Sequence, residues 1–145
     1  CWENKRIVFK APLTNLEQGG WVYMEASLDV TSTNWRNEVL KADLPVVVEF
    51  YTPTCPFCQR LTPIFKKLSG EFSGKMKFVM VNAAENSDIA SGYGVMGVPT
   101  LKFFCSGRPI HEVVGFRSED ELRQEFSKVL ETHKKCLSQS SPIYA

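Results

Sequence analysis

The chain has 145 residues, of which 43% are hydrophobic and 23% charged, and its 17 basic residues nearly balance its 16 acidic ones. This length suits one globular domain with a sizeable core, and the small net charge gives no indication of a nucleic-acid partner. No apolar run approaches the roughly 20 residues of a membrane-spanning helix, so the composition predicts a soluble protein with no membrane span.

Residues 1–22 are predicted to form an N-terminal extension with one short strand followed by a loop. The apolar run at residues 7–9 carries the strand prediction, and Gly19 and Gly20 favour the loop. We expect this extension to pack on a sheet edge, and the alternative is an arm that binds a partner or a membrane. Cys1 also permits a lipid-anchored or exported form.

A strand, a helix and a second strand are predicted next along the chain. Residues 23–30 have a strand-like composition, and residues 31–34 offer N-caps for a helix that buries Trp35 and Val39. Pro45 cannot continue this helix. Residues 46–51 form a nearly continuous run of β-branched and aromatic residues. We therefore expect this strand to be buried on both faces, in the middle of a sheet.

Cys55 and Cys58 directly follow this strand, in a turn before a helix whose apolar residues recur every three or four positions: Leu61, Ile64, Phe65, Leu68 and Phe72. The first sulfur then lies near backbone N–H groups at the positive end of the helix, which favours a thiolate. Because a thiolate attacks disulfides, this spacing predicts thiol–disulfide exchange. Taken alone, two cysteines at this spacing could equally be half of a metal site.

The second half of the chain is predicted to contain a strand, a short helix, a hairpin of two strands and a last helix. The expected elements are a strand at 75–83, a short helix at 86–94, strands at 101–104 and 110–114, and a last helix beginning at Ser118. Ser118 and Glu121 form a capping box, which marks the start of that helix. Residues 138–145 are predicted to be a flexible tail.

The chain resembles the thioredoxin family over roughly residues 24–135. The resemblance rests on features that occur in a fixed order: Cys55 and Cys58, the sequence Val98-Pro99-Thr100, Gly115 and the final amphipathic helix. It implies an α/β thioredoxin fold, with a central mixed β-sheet flanked by helices. The domain is expected to span residues 23–137, between the extension and the tail.

The resemblance also implies a protein-disulfide reductase, with Cys55 as the attacking thiolate and Cys58 as the resolving thiol. Glu49 is the candidate base for Cys58, in a strand with apolar neighbours. Met80 stands where related proteins often have a lysine, so we expect the pKa of Glu49 to exceed that of an ordinary glutamate. Pro99 is expected to be cis. The implied substrate contacts are Thr54, Pro56, Phe57, Gly97, Val98, Pro99 and Gly115.

The expected partners are disulfide-containing protein substrates and an electron donor similar to thioredoxin reductase, with no bound cofactor, no metal and a monomeric chain. Five cysteines with one close pair do not resemble the disulfide framework of a secreted protein. We therefore expect Cys105 and Cys136 to be free thiols in a cytoplasmic protein, with Cys105 open to regulatory oxidation.

Four alternatives to a thioredoxin-like reductase stay open. Pro56 and Phe57 look like the Pro-Tyr pair of glutaredoxins, and Glu49 matches the acid of disulfide-isomerase domains, so either of those activities is possible. From another class, two chains could share zinc or an iron–sulfur cluster between their cysteine pairs, although His111 and His133 look too remote to act as ligands. A binding module would use only the surface around Pro99.

Overall fold

The computed structural model describes residues 10–11, 22–23 and 26–133. Its elements in chain order are β1 (Lys10–Ala11), β2 (Val22–Tyr23), β3 (Ser27–Asp29), a π-helical turn (Arg36–Leu40), β4 (Val46–Tyr51), α1 (Pro56–Glu71), β5 (Lys77–Asn82), α2 (Ser87–Gly92), β6 (Thr100–Cys105), β7 (Arg108–Val114) and α3 (Glu119–Thr132). In this part of the chain, no helix has both the length and the apolar character needed to cross a bilayer.

Five strands form the mixed sheet that the sequence predicts, in the order β3-β5-β4-β6-β7. The strands β3, β5 and β4 are parallel, whereas β6 runs antiparallel to β4 and β7 antiparallel to β6. The apolar strand β4 lies at the centre, and its first five residues are all buried. The prediction of a strand buried on both faces is therefore confirmed.

Each face of the sheet has its own hydrophobic core. On one face, apolar residues of α1 and α3 pack on alternate strand residues, and Phe65, Phe78 and Phe126 have no more than 1% of their surface exposed. On the other face, Trp35 of the segment before the π-helical turn packs against Phe104. Alternation of side chains along the strands sends neighbouring residues into the two cores.

The helices α1 and α3 run side by side in the same direction. Lys67 pairs with Glu119 at 3.0 Å, and one turn later Glu71 pairs with Arg123 at 2.8 Å. The predicted capping box starts α3: the Ser118 hydroxyl accepts from the Glu121 N–H, and the Glu121 carboxylate accepts from the Ser118 N–H. The first turn of α3 therefore lies beside the last two turns of α1.

The helix predicted after residues 31–34 is the π-helical turn Arg36–Leu40. The Lys41 N–H donates to the Arg36 carbonyl, five residues earlier. The side chain of Asn34 accepts from the Thr31 N–H instead of capping the helix. A local turn thus replaces the first helical turn. The predicted strand at residues 7–9 and the tail lie outside the described residues.

Cys105, the last residue of β6, is disulfide-bonded, so the prediction of a free thiol there is wrong. Its partner lies outside the described residues, as do Cys1 and Cys136. Sequence spacing does not reveal such a bond, because packing brings distant cysteines together and several pairings fit one sequence. The cysteines that are free in the described part of the chain are Cys55 and Cys58.

Candidate active site

Cys55 is the N-cap residue of α1, at the point where the chain leaves the central strand. Its sulfur accepts a hydrogen bond from the Cys58 N–H at 3.2 Å. Pro56 occupies the first position of the helix, where a missing N–H costs nothing. The partly exposed Cys55 sulfur therefore lies at the helix start, where backbone N–H groups stabilise negative charge.

Cys58 lies one helical turn further on and is buried, with 1% of its surface exposed. Burial first, and then the neighbouring Cys55 sulfur, raise the pKa of the Cys58 thiol to about 12. Glu49 contributes a smaller increase through its negative charge. The two sulfurs are thus chemically distinct: Cys55 is open to a substrate, whereas Cys58 needs a base before it can react.

Glu49 lies on β4 with none of its surface exposed. Its Oε2 accepts a hydrogen bond of 2.9 Å from the Thr62 hydroxyl on α1, and its Oε1 is buried with no hydrogen-bond partner. Burial raises the pKa of Glu49 to about 7, although the Thr62 hydrogen bond and the positive charge of Lys66 lower it. The prediction of a raised pKa is confirmed, and Met80 is the residue opposite Glu49 on β5.

The turn before β6 faces the cysteine pair. The Val98–Pro99 peptide bond is cis, as predicted, and the Cys55 thiol lies 3.8 Å from the Val98 carbonyl oxygen. Gly115, with a φ of +92°, donates its N–H to the Pro99 carbonyl at 2.9 Å. A residue other than glycine would be strained at that φ. Pro99 and Gly115 thus hold the half-buried Val98 beside the reactive sulfur.

The remaining predicted contact residues form the rim of this site. Thr54, Pro56 and Gly97 are exposed, and Phe57 has 52% of its surface exposed. Beside them, Met96 is 94% exposed, and it belongs to the same loop as Val98. Phe57 and Met96 therefore add exposed apolar surface to the segments that carry Cys55 and Val98, which suits contact with another polypeptide.

A cleft of about 390 Å³ lies behind the cysteine pair, on the side of the buried acid. Its walls come from β3, β4, β5 and α1, and include Cys58, Thr62, Lys66 and Met80. The cleft is open to solvent along part of its wall. It therefore brings water close to the residues that surround Glu49.

Metal binding receives no support from the described residues. Across residues 26–133, no three His, Cys, Asp or Glu side chains are grouped so that they could hold a metal ion. His111 Nε2 lies 2.8 Å from the Glu125 carboxylate, on the side of the sheet that carries α3. A metal shared by two chains would need further ligands that this site does not bring to Cys55.

The comparisons with known proteins agree with this geometry. The family model for Thioredoxin matches residues 26–128. A thioredoxin of Nostoc sp. is 37% identical over 107 residues, which cover 74% of this chain and all of that protein. The thioredoxin of Rickettsia felis is 36% identical over 69% of this chain and 95% of its own length. The chain belongs to the thioredoxin family.

Membership of the thioredoxin family gives the activity class of the protein. It is a thiol–disulfide oxidoreductase. A thioredoxin-like function is favoured over the glutaredoxin-like, isomerase-like and metal-binding alternatives. Chloroplastic thioredoxin M4 of Arabidopsis thaliana, 30% identical over 81% of this chain and 65% of its own length, is a further similar protein. Thioredoxins act on disulfide substrates and are reduced in turn by a reductase.

The sequence reasoning missed two residues of this thioredoxin site. Thr62, which contacts Glu49, follows Cys58 by one helical turn, so the i, i+4 spacing could have placed both on the same face of α1. Arg60, whose guanidinium lies 5.7 Å from the Phe57 ring and 4.7 Å from the Phe116 ring, gave no sequence signal, because Phe116 comes from another part of the chain.

Proposed function

We propose that the protein reduces disulfides in protein substrates, with Cys55 attacking, Cys58 resolving and Glu49 accepting the Cys58 proton. The contrast between the two sulfurs supports this assignment most directly. Cys55 is partly exposed and faces Val98, whereas Cys58 is buried with a raised pKa close to a buried acid. Only the accessible sulfur can start the exchange.

The reaction then has two steps. The Cys55 thiolate attacks the substrate disulfide, a mixed disulfide forms, and the first substrate thiolate leaves. Cys58 next gives its proton to the Glu49 carboxylate and attacks the Cys55 sulfur. The Cys55–Cys58 disulfide forms, the second substrate thiolate leaves, and two electrons have passed from the enzyme to the substrate.

The apolar rim around Cys55 supports an extended polypeptide as the substrate. Phe57 and Met96 offer exposed apolar surface in the two segments that carry Cys55 and Val98. The Val98 carbonyl oxygen lies 3.8 Å from the Cys55 sulfur, and a substrate strand could pair with the backbone from Gly97 to Pro99. Thr54, Pro56 and Gly115 complete the proposed contact surface.

The proposed electron donor is an enzyme similar to thioredoxin reductase, and the proposed functional unit is a monomer. The site supports a monomer because one chain supplies both cysteines, Glu49 and the turn at Pro99. A cytoplasmic location is proposed because such a donor works where thiols are kept reduced. The disulfide at Cys105 weighs against it.

Two matched cysteine variants test the assignment of roles. Cys55→Ala should abolish exchange, whereas Cys58→Ala should accumulate mixed disulfides with substrates, because the second step has lost its nucleophile. Mass spectrometry of the trapped complexes, without reduction, identifies the linked sulfur. Full activity of Cys55→Ala would reject the assignment.

The equilibrium redox potential of the Cys55–Cys58 pair tests the direction of electron flow. A potential of about −270 mV supports a reductase, whereas a potential of roughly −200 mV or higher supports a more oxidising, isomerase-like activity. The measurement is mass spectrometry after quenching in graded thiol buffers, and Cys58→Ala is the control that cannot form the intramolecular disulfide.

A further inference from the structure

The buried carboxylate of Glu49 has no direct contact with solvent. None of its surface is exposed, and Oε1 has no hydrogen-bond partner. Its Oε2 has one hydrogen-bond donor, the Thr62 hydroxyl, at 2.9 Å. If Glu49 accepts the Cys58 proton, that proton must later pass through a neighbouring group to reach water.

Thr62 lies between this carboxylate and the cleft. It is half-buried, and it lines the cleft together with Cys58 and Lys66. A threonine hydroxyl can donate one hydrogen bond and accept others at the same time. Thr62 therefore has a donor contact to Glu49 and belongs to the wall of a cleft that is open to solvent.

No cation occupies the strand position beside Glu49. The residue opposite it on β5 is Met80, which is apolar and also lines the cleft. Charged and titratable groups around the cleft and the acid come from three elements: Asp29 on β3, Tyr51 on β4, and Cys58 and Lys66 on α1. The hydrogen bond that the structure shows to the carboxylate comes from the uncharged Thr62.

We propose that Thr62 is a positioning residue that fixes the Glu49 carboxylate for the second step and passes its proton to the cleft. This inference rests on the proposed role of Glu49. After Glu49 accepts the Cys58 proton, the Thr62 hydroxyl rotates so that it donates to a cleft water instead of to Glu49. The hydroxyl proton then moves to that water while Glu49 passes its own proton to the Thr62 oxygen, which restores the original hydrogen bond, and no electrons move.

Thr62→Val and Thr62→Ser test this inference as a matched pair. Valine keeps the shape and removes the hydroxyl, whereas serine keeps the hydroxyl. The measurement is single-turnover reduction of a disulfide whose two thiols give separate signals, followed over a range of pH. Thr33→Val, at an exposed position away from the site, is the control for loss of a threonine hydroxyl.

We expect Thr62→Val to leave the first thiol release unchanged and to slow the second about tenfold near neutral pH, with its pH midpoint about one unit higher, because a hydrogen bond to the charged form is lost. Thr62→Ser should restore both the rate and the midpoint. A wild-type rate and midpoint in Thr62→Val would overturn the inference, as would equal slowing of both steps or failure of serine to restore them.

Glu49→Gln separates this inference from the proposed function on which it rests. If Glu49→Gln slows the second release but Thr62→Val does not, Glu49 is the base and Thr62 has no part in the step. If Glu49→Gln leaves the second release unchanged, the proposed role of Glu49 itself is wrong, and the inference fails with it.

Discussion

Two glutamates that contact α1 have opposite environments. Glu49 is fully buried beneath the helix with one neutral hydrogen-bond donor, and burial raises its pKa to about 7. Glu119, at the first turn of α3, lies 2.7 Å from Arg123 and 3.0 Å from Lys67. Hydrogen bonds from these two cations lower the pKa of Glu119.

The comparison shows what burial does to a carboxylate. The surface acid keeps its charge because water and two cations solvate it, and such exposed ion pairs contribute little to stability. The buried acid has no contact with water, and the charge of Lys66 offsets only part of the cost of burial, so its charged form costs free energy and its protonated form is favoured. The protein therefore keeps a group that titrates near neutral pH directly beneath its cysteine pair.

The largest expected effect is on the pH dependence of stability. The pKa of Glu49 rises from 4.5 to about 7 on folding, so the folded state binds the proton more tightly. Proton binding at Glu49 therefore stabilises the folded state. This stabilisation is fully present below pH 4.5, and about 3 kcal/mol of the free energy of unfolding is lost as the pH rises to 7. Glu49→Gln should remove this loss and be more stable than the wild type at pH 8. Urea unfolding of both reduced proteins at several pH values measures it, and identical pH dependences would contradict the prediction.

A smaller effect, on the pKa of Glu49, is expected when a cation is placed opposite it, because Glu119 has two cations beside it. Met80→Lys places a cation opposite Glu49 on β5, at the wall of the cleft. An opposite charge at this range should lower the pKa of Glu49 by about one unit or more. The pH midpoint of the second thiol release should then move down. Met80→Gln, which is polar but uncharged, is the control, and an equal shift in both variants would show that charge is not the cause.

The smallest effect is expected at the surface pair. Arg123→Ala removes contacts to Glu71, Glu119 and Asp120. We expect a slight decrease in the midpoint of urea unfolding at low salt. This decrease should disappear at about 1 M salt, where exposed charges are screened. Lys128→Ala, an exposed cation on the same helix, is the control. A decrease that persists at high salt would mean that packing by Arg123, rather than its charge, stabilises the helix pair.

Much of the fold could be predicted because its elements carry local signals. The apolar run of β4, the periodic apolar positions of α1 and the capping box at Ser118 each indicate an element without reference to distant residues. The π-helical turn could not be predicted in this way. The N-cap candidates at residues 31–34 bond to one another and to α2 residues, as Ser32 does to Asp88.

The site was predictable where its residues form motifs. Cys55, Cys58 and the cis Pro99 follow from spacing and from family resemblance, and the burial of Glu49 follows from its apolar neighbours. Cys105 shows the limit of this reasoning. Five cysteines with one close pair suggested that Cys105 is a free thiol, but its disulfide depends on which other cysteine the folded chain brings near.

The sequence by itself determined the order of strands and helices and the position of a reactive cysteine pair at a helix start, because these depend on spacing within a few residues. The tertiary structure alone decided which group bonds to the Glu49 carboxylate. The family resemblance had already pointed to Met80, which strand pairing places opposite Glu49, whereas the Thr62 hydroxyl reaches the acid across the helix–sheet interface. These contacts join separate elements, so packing of the sheet against α1 sets the pKa of the acid.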